Sequence, residues 1–317
     1  MLAPRVNPIQ ADWPISSTAD EGPTGAWRAC VDLAYVARDR QTVPTVRRHV
    51  GPLRVLKGYR QSGADCWEQV LVHPPGGIAG NDQLDIRVRA TQNAQVLITT
   101  PGASKWYRSG HFSTTESHPG ASQTVAIQVA GGSGFEWLPL ENIFYDGAVA
   151  RLETHFEVAP ESALIAGDVY CLGRPASNAP FERGRLAMLT RVTRANKPLF
   201  VERARLHGDS RVISAPAGLN NHPCFGNLIA VPTQASNQEH QPASNAQLGE
   251  LRERVRSALS AEVICGELAV TTLPGVLLVR WRGPSAEAGW HALRTAWRTL
   301  RKPVLGREAQ EPRIWAC

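Results

Sequence analysis

The sequence predicts an all-β dominated fold of short, layered strands, with a few helices added late. Three observations predict it. Apolar and polar side chains alternate with a period of two in one run after another, as they do in a half-buried strand. Val, Ile and Thr dominate these runs, and Pro or Gly punctuates them. No helical segment recurs between successive runs, so the chain is not an alternating βαβ protein.

In chain order, residues 1–24 are rich in Pro, Ser, Thr and Asp and read as a flexible N-terminal arm. Residues 25–317 read as a single domain. Strand patterning covers 27–35, 53–59, 67–72, 84–90, 94–99, 123–129 and 148–158. Residues 159–173 contain Ala163-Leu164-Ile165-Ala166, end near Gly173 and are expected to include a short helix. Runs 186–192 and 199–206 predict a hairpin turning at Asn196-Lys197. Residues 232–246 are Pro, Gln, Asn, Ser and His, the composition of a flexible surface loop. Leu248, Leu251, Val255 and Leu259 then mark an amphipathic helix over 247–260. Residues 263–282 predict two strands about the turn Leu273-Pro274-Gly275. A last helix, over 289–301, aligns Trp290, Leu293, Trp297 and Leu300 on one stripe. Its Arg294, Arg298 and Arg301 either lie as surface arginines over that stripe or cover an acidic partner.

With 317 residues, 43% of them hydrophobic, the chain can bury a large core. The net charge is +6, but no run of five basic residues occurs. Spread charge of this kind favours an acidic protein surface over nucleic acid as a partner. The N-terminus lacks a secretory pattern, because Asp12, Asp20 and Glu21 interrupt it. No stretch approaches the ~18 apolar residues of a membrane helix. The six cysteines show no metal-finger spacing and are expected as reduced thiols in the cytosol.

Three turn-rich segments carry the remaining information. The first is His73-Pro74-Pro75-Gly76-Gly77-Ile78-Ala79-Gly80-Asn81-Asp82. It lacks the Lys of a phosphate loop, and strand patterning follows it, not a helix. Three roles are open to Asp82: capping the turn, lining a polar channel, or touching a partner. His73 offers an imidazole that can ligate a transition metal or serve a structural hydrogen bond. The second segment ends in Lys105-Trp106-Tyr107-Arg108, an aromatic pair between cations that suits either protein contact or structure. In the third, Glu136 and Glu141 flank Trp137-Leu138-Pro139-Leu140. Such carboxylates can form an acid–base pair, pair with cations, or pass a divalent ion together with Asp146, Glu153 and His155. His222-Pro223-Cys224 is a poor nucleophile–base pair, and no Gly-x-Ser-x-Gly elbow occurs.

Taken together, these segments resemble the urease accessory protein family UreD, also called UreH. The resemblance rests on His73-Pro74-Pro75-Gly76-Gly77-Ile78 with Gly80 and Asp82, and on Thr99-Thr100-Pro101-Gly102-Ala103-Ser104-Lys105 with Tyr107-Arg108-Ser109. It rests also on Glu136-Trp137-Leu138-Pro139 with Glu141 and Ile143. Gly173-Arg174, Phe181-Glu182-Arg183-Gly184 and the closing Pro312-Arg313-Ile314-Trp315-Ala316 extend it over residues 25–317. The chain departs from the family at Asn81, at Leu140, over 175–180 and at Cys317.

The resemblance implies a β-helical stack of short strands with a few helices. It implies a cytoplasmic, non-enzymatic maturation factor that bridges apo-urease to a UreF-like protein, which recruits a UreG-like GTPase. No cofactor is held permanently, and nickel passes in transit through an internal tunnel; neither nucleic acid nor a membrane is a partner. On this reading Asp82, Glu136, Glu141, Asp146 and His155 are the expected transient nickel relay. His73, Gly76, Gly77, Lys105, Tyr107, Arg108, Trp137, Arg313 and Trp315 are expected to serve partner contact or structure. Two alternatives stand beside it: a pure assembly chaperone that conducts no nickel, and, more remotely, an enzyme using Glu136 and Glu141 as its acid–base pair.

Overall fold

The computed structural model describes residues 26–61, 65–109, 120–234 and 245–316. The expected N-terminal arm, most of the 232–246 loop and Cys317 lie outside the described residues. In chain order the strands are β1 (Arg28–Arg38), β2 (Gln41–Val50), β3 (Arg54–Val55), β4 (Tyr59–Arg60), β5 (Trp67–Val72), β6 (Gln83–Thr91) and β7 (Gln95–Thr99). There follow β8 (Ser104–Trp106), β9 (Ala121–Val129), β10 (Gly134–Leu138), β11 (Asn142–Phe144), β12 (Val149–Val158) and β13 (Ala163–Leu172). The last are β14 (Arg185–Arg194), β15 (Lys197–His207), β16 (Cys224–Val231), β17 (Glu267–Leu273) and β18 (Val276–Gly283). The helices are α1 (Arg211–Ser214), α2 (Asn245–Ser260) and α3 (Ala286–Leu305).

Two sheets face each other. The first runs β15-β14-β12-β9-β6-β1-β2, and the second runs β17-β18-β16-β13-β10-β7-β5-β3. Between β5 and β14 the chain passes back and forth between them. Each circuit adds a parallel, in-register strand to each sheet: β6, β9, β12 and β14 on one wall, β5, β7, β10 and β13 on the other. This is the β-helical stack that the resemblance implies. Register places like on like. Leu33, Val88, Ile127, Phe156 and Val192 form one row, and all five are buried. On the opposite wall Ile98, Trp137 and Ala166 form another. A one-residue slip would turn every such row outward, so the apolar rows fix the register.

The second sheet is covered on both faces. Its inner face packs against the first sheet, and its outer face carries α2 and α3. Alternation along β13 divides the labour: Leu164, Ala166, Tyr170 and Leu172 enter the inter-sheet core, while Ala163, Ile165, Val169 and Cys171 enter the helix-side core. All ten β13 residues are buried.

That double burial overturns the short helix expected within 159–173. A strand covered on both faces loses its polar alternation and reads as a continuous apolar run. The strand expected over 53–59 is broken into two short pieces, β3 and β4. β2, β8, β10, β11 and β16 had no sequence assignment. β2 lies at the sheet edge, tolerates Pro44 there, and pairs with β1 through a register shift at Ala34/Tyr35, so its alternation is broken. The expected hairpin is β14–β15, but its turn falls one residue earlier than expected: Ala195 and Asn196 take its positive φ angles, and Lys197 already begins β15.

Helix α3 extends beyond the expected 289–301. Ser285 caps it by accepting from the Ala288 amide at 3.2 Å, and Gly306 ends it at φ 72°. The stripe of Trp290, Leu293, Trp297 and Leu300 is buried as expected. One arginine departs from the expected surface position: Arg301 is fully buried.

Candidate functional site

The three turn-rich segments are successive levels of one corner of the stack. Ile78 bridges to Trp106, Trp106 pairs with Phe144, and Phe144 pairs with Leu172. Short strands β8 and β11 thus form rungs of their own, continued by the end of β13. The Ile78 amide donates to the Lys105 carbonyl at 2.7 Å, and the Tyr107 amide to the Ile78 carbonyl at 2.8 Å. Trp106 stacks on Phe144 with centroids 5.6 Å apart, and its indole N–H donates to Asn142 Oδ1 at 3.0 Å.

A cavity of about 160 Å³ opens beside this corner. His73, Gly77, Ser104, Lys105, Trp137 and Asn142 are among its lining, so all three segments meet there. His73 Nε2 is buried with no hydrogen-bond partner among the described residues. Burial lowers its pKa, against the raising charge of Asp82, so the ring is held neutral at pH 7. Trp137 is buried, a structural member of the corner, whereas Tyr107 and Arg108 stay exposed at the rim.

Gly77 has a steric reason. A Cβ there would meet the Tyr107 ring at 2.0 Å. That ring sits edge-on to Tyr145 at 4.8 Å, and its hydroxyl donates to the Gly76 carbonyl at 3.2 Å. Gly77→Ala is expected to displace the ring and cost about 1–2 kcal/mol. Urea unfolding checks this; an unchanged midpoint would show that the contact contributes nothing.

The expected relay residues do not share a site. Among the described residues no three His, Cys, Asp or Glu side chains are grouped to hold a metal ion. Asp82 caps the turn, accepting from the Trp27 amide at 2.9 Å and the Ala79 amide at 3.0 Å. Asp146 accepts from the amides of Glu182 and Arg183 and from the Arg183 guanidinium, which ties the 181–184 segment to the turn after β11. Burial pushes the Asp146 carboxyl up, but these donors hold it below the usual carboxylate range. His155 lies on β12 with Nε2 3.3 Å from Thr193 Oγ1. Burial, then the nearby Arg191 charge, lowers its pKa. Glu141 is half-buried, and its backbone carbonyl accepts from the Ser104 amide at 2.8 Å.

Glu136 is the most heavily committed of the five. Alternation along β10 turns Phe135 and Trp137 into the inter-sheet core and Glu136 toward α3. There its carboxylate, 0% exposed, accepts from Trp297 Nε1 at 2.6 Å, Arg301 Nε and Nη2 at 3.0 Å, and Arg307 Nη2 at 2.8 Å. Burial pushes the carboxyl up, but Arg307, Arg301 and the Trp297 N–H outweigh it and hold it below its ordinary value. At neutral pH it has no proton to give, which disfavours the acid–base pairing with Glu141. Arg301 reaches further, to Gln61 Oε1 at 2.6 Å and to the carbonyls of Glu308 and Gln310. The C-terminal segment is thereby strapped to α3 and to the second sheet beside it. Trp315 completes the strap: its N–H donates to Thr99 Oγ1 at 2.8 Å, and Arg294 lies 4.7 Å from its ring. Arg313 is exposed beside it.

Sequence reasoning missed Asp168. It sits on the inter-sheet face of β13, paired in register with Asn227, and burial pushes its carboxyl up to about 7. Asn227 donates to Glu202 at 3.0 Å, and both line a second cavity of about 430 Å³ with Tyr170, Met188 and Arg280. The available signal was a single acid inside an otherwise apolar run, Leu164 to Leu172, which the helical reading concealed.

Comparison with known proteins agrees with these features. The profile of the family described as "UreD urease accessory protein" matches residues 28–316. A protein named urease accessory protein UreD from Pseudomonas fluorescens strain Pf-5 is 39% identical over 292 residues, covering 92% of this chain and 96% of that one. Proteins of the same name from Azoarcus sp. strain BH72 and Pseudomonas aeruginosa strain PAO1 are each 37% identical, covering 91% and 92% of this chain and 94% and 95% of theirs.

Proposed function

This chain belongs to the UreD urease accessory protein family, and on that premise we propose that it is a non-enzymatic scaffold for urease maturation. In this reading it bridges apo-urease to a UreF-like protein that brings a UreG-like GTPase, and it assists nickel insertion in the cytoplasm. The observation that carries the reading is the continuity of the family match, which spans the whole stack and both long helices. The geometry supports it, because the shared motifs build rungs and caps that hold a rigid frame. No described helix is long and apolar enough to cross a membrane.

Nickel is cargo in this scheme, written as substrate. Of the five relay candidates, Glu136 and Asp146 are committed to arginines and Asp82 to backbone amides, which leaves Glu141 and His155 freer to exchange a ligand. Glu202, which lines the larger cavity, and Asp168, paired in register with the cavity-lining Asn227, are further oxygen donors for a passing divalent ion. The dispersal of these groups favours a second reading, the pure assembly chaperone.

Co-purification with apo-urease and the UreF-like protein tests the scaffold, and no association with either would sink both readings. Glu141→Ala and Asp168→Asn then separate them. A conduit predicts intact assembly with urease nickel content falling severalfold. Unchanged nickel content in both variants favours the chaperone.

A further inference from the structure

We propose that Cys171 and Cys224 are a peroxide-oxidisable dithiol that closes to a reversible disulfide. The two residues are directly opposed across the antiparallel β13–β16 pair. The Leu172 amide donates to the Pro223 carbonyl at 2.8 Å, so that next pair is the hydrogen-bonded one. Cys171 and Cys224 therefore form a non-hydrogen-bonded pair, in which the Cα atoms approach most closely, to about 4.5 Å. That lies at the near end of the range a disulfide spans. The sulfurs are 3.0 Å apart, with both residues buried, and both are free thiols. On its other flank Cys224 pairs with Gly283, whose missing side chain leaves the sulfur unobstructed there.

The pair is chemically asymmetric. The Cys224 S–H donates to the Cys171 sulfur and lowers the Cys171 pKa, while the same bond raises that of Cys224. The Cys171 S–H is aimed at the Gly173 carbonyl, 3.8 Å away, which leaves its sulfur to accept from Cys224; Cys171 is the attacking sulfur and Cys224 the resolving one. The Cys171 thiolate attacks hydrogen peroxide, the O–O bond breaks, and a sulfenic acid and one hydroxide form. Cys224 then attacks the sulfenic sulfur, the S–S bond forms, the S–O bond breaks, and a second hydroxide leaves. The two hydroxides take up the two thiol protons. The dithiol loses two electrons and peroxide becomes two waters. A dithiol reductant reverses the bridge by exchange.

The bridge would enclose the β14–β15 hairpin and α1, which lie between the two cysteines in sequence. It would join β13 to β16, neighbouring strands in the middle of the second sheet. Closing so long a loop is expected to raise the melting temperature by roughly 5–10 °C.

The test uses the full chain with Cys265→Ser and Cys317→Ser, which removes the exposed thiol and the terminal one. The folded protein is treated with hydrogen peroxide, alkylated under denaturing conditions, digested and weighed. The expected result is a cross-linked peptide pair holding residues 171 and 224, two hydrogens lighter than the reduced pair. Dithiothreitol should restore both thiols and reverse the rise in melting temperature. Cys224→Ala should abolish the cross-link and leave Cys171 as a sulfenic or sulfinic acid. The proposal is overturned if both thiols remain alkylatable after peroxide treatment. It is equally overturned if the link joins Cys30 or Cys66, or if it forms only after unfolding.

Discussion

Glu136→Ala is expected to destabilise the protein by about 3–5 kcal/mol, because it strands two buried guanidinium groups. Arg301 is 0% exposed and Arg307 nearly buried, and neither can turn to water without lifting the C-terminal segment off the sheet. α3 is also tied to the same carboxylate through Trp297. Urea unfolding read by tryptophan fluorescence measures the loss. A companion variant separates charge from packing. Replacing Glu136, Arg301 and Arg307 together by apolar residues of similar volume should recover much of it, since no unpaired charge remains. Recovery failing in the triple variant would mean that geometry, not charge, is what the cluster supplies.

The same carboxylate predicts an acid limit. Its folded pKa lies below the ordinary value, so its contribution is present above the unfolded pKa of about 4.3. That contribution is lost as pH falls through the folded pKa. Stability should therefore decline below about pH 4, and Glu136→Gln should remove that part of the decline. A parallel pH profile in the two proteins would place the acid sensitivity elsewhere.

Ending the chain at Arg307 is the second large change, with an expected cost of about 3–5 kcal/mol. Arg301 would lose two carbonyl acceptors, at about 1.5 kcal/mol or more each for a charged donor. The Trp315 ring would also leave its place against Trp297, where the centroids are 5.4 Å apart. The truncated chain should keep its β circular dichroism signal, because the rungs of the stack do not involve the tail. It should lose amide protection in α3. An unchanged urea midpoint would show that the segment lies on the surface without acting as a strap.

Much of the frame was legible in the residues. β6, β9 and β12, in the first sheet, each bury mainly one face, so their side chains alternate and the period shows. The stripe of α3 was legible for the same reason, at helical period. β13 was not, because helices cover its second face and remove the polar half of the pattern. The three turn-rich segments could be recognised singly, but nothing along the chain shows that Ile78, Trp106 and Phe144 lie one above another. The acidic residues near 136–155 were visible as acids, and their partners were not. Arg301 and Arg307 are more than 160 residues away from Glu136.

The sequence by itself determined an all-β dominated stack with late helices, and through its motifs the family. Periodicity and turn chemistry are local, and local patterns survive being read one residue at a time. Only the tertiary structure decided what the carboxylates do. A carboxylate can cap, pair, relay or donate a proton, and the choice rests on which distant cations and amides share its burial. For Glu136 those groups are Arg301, Arg307 and Trp297, all brought to it by α3 and the segment that follows.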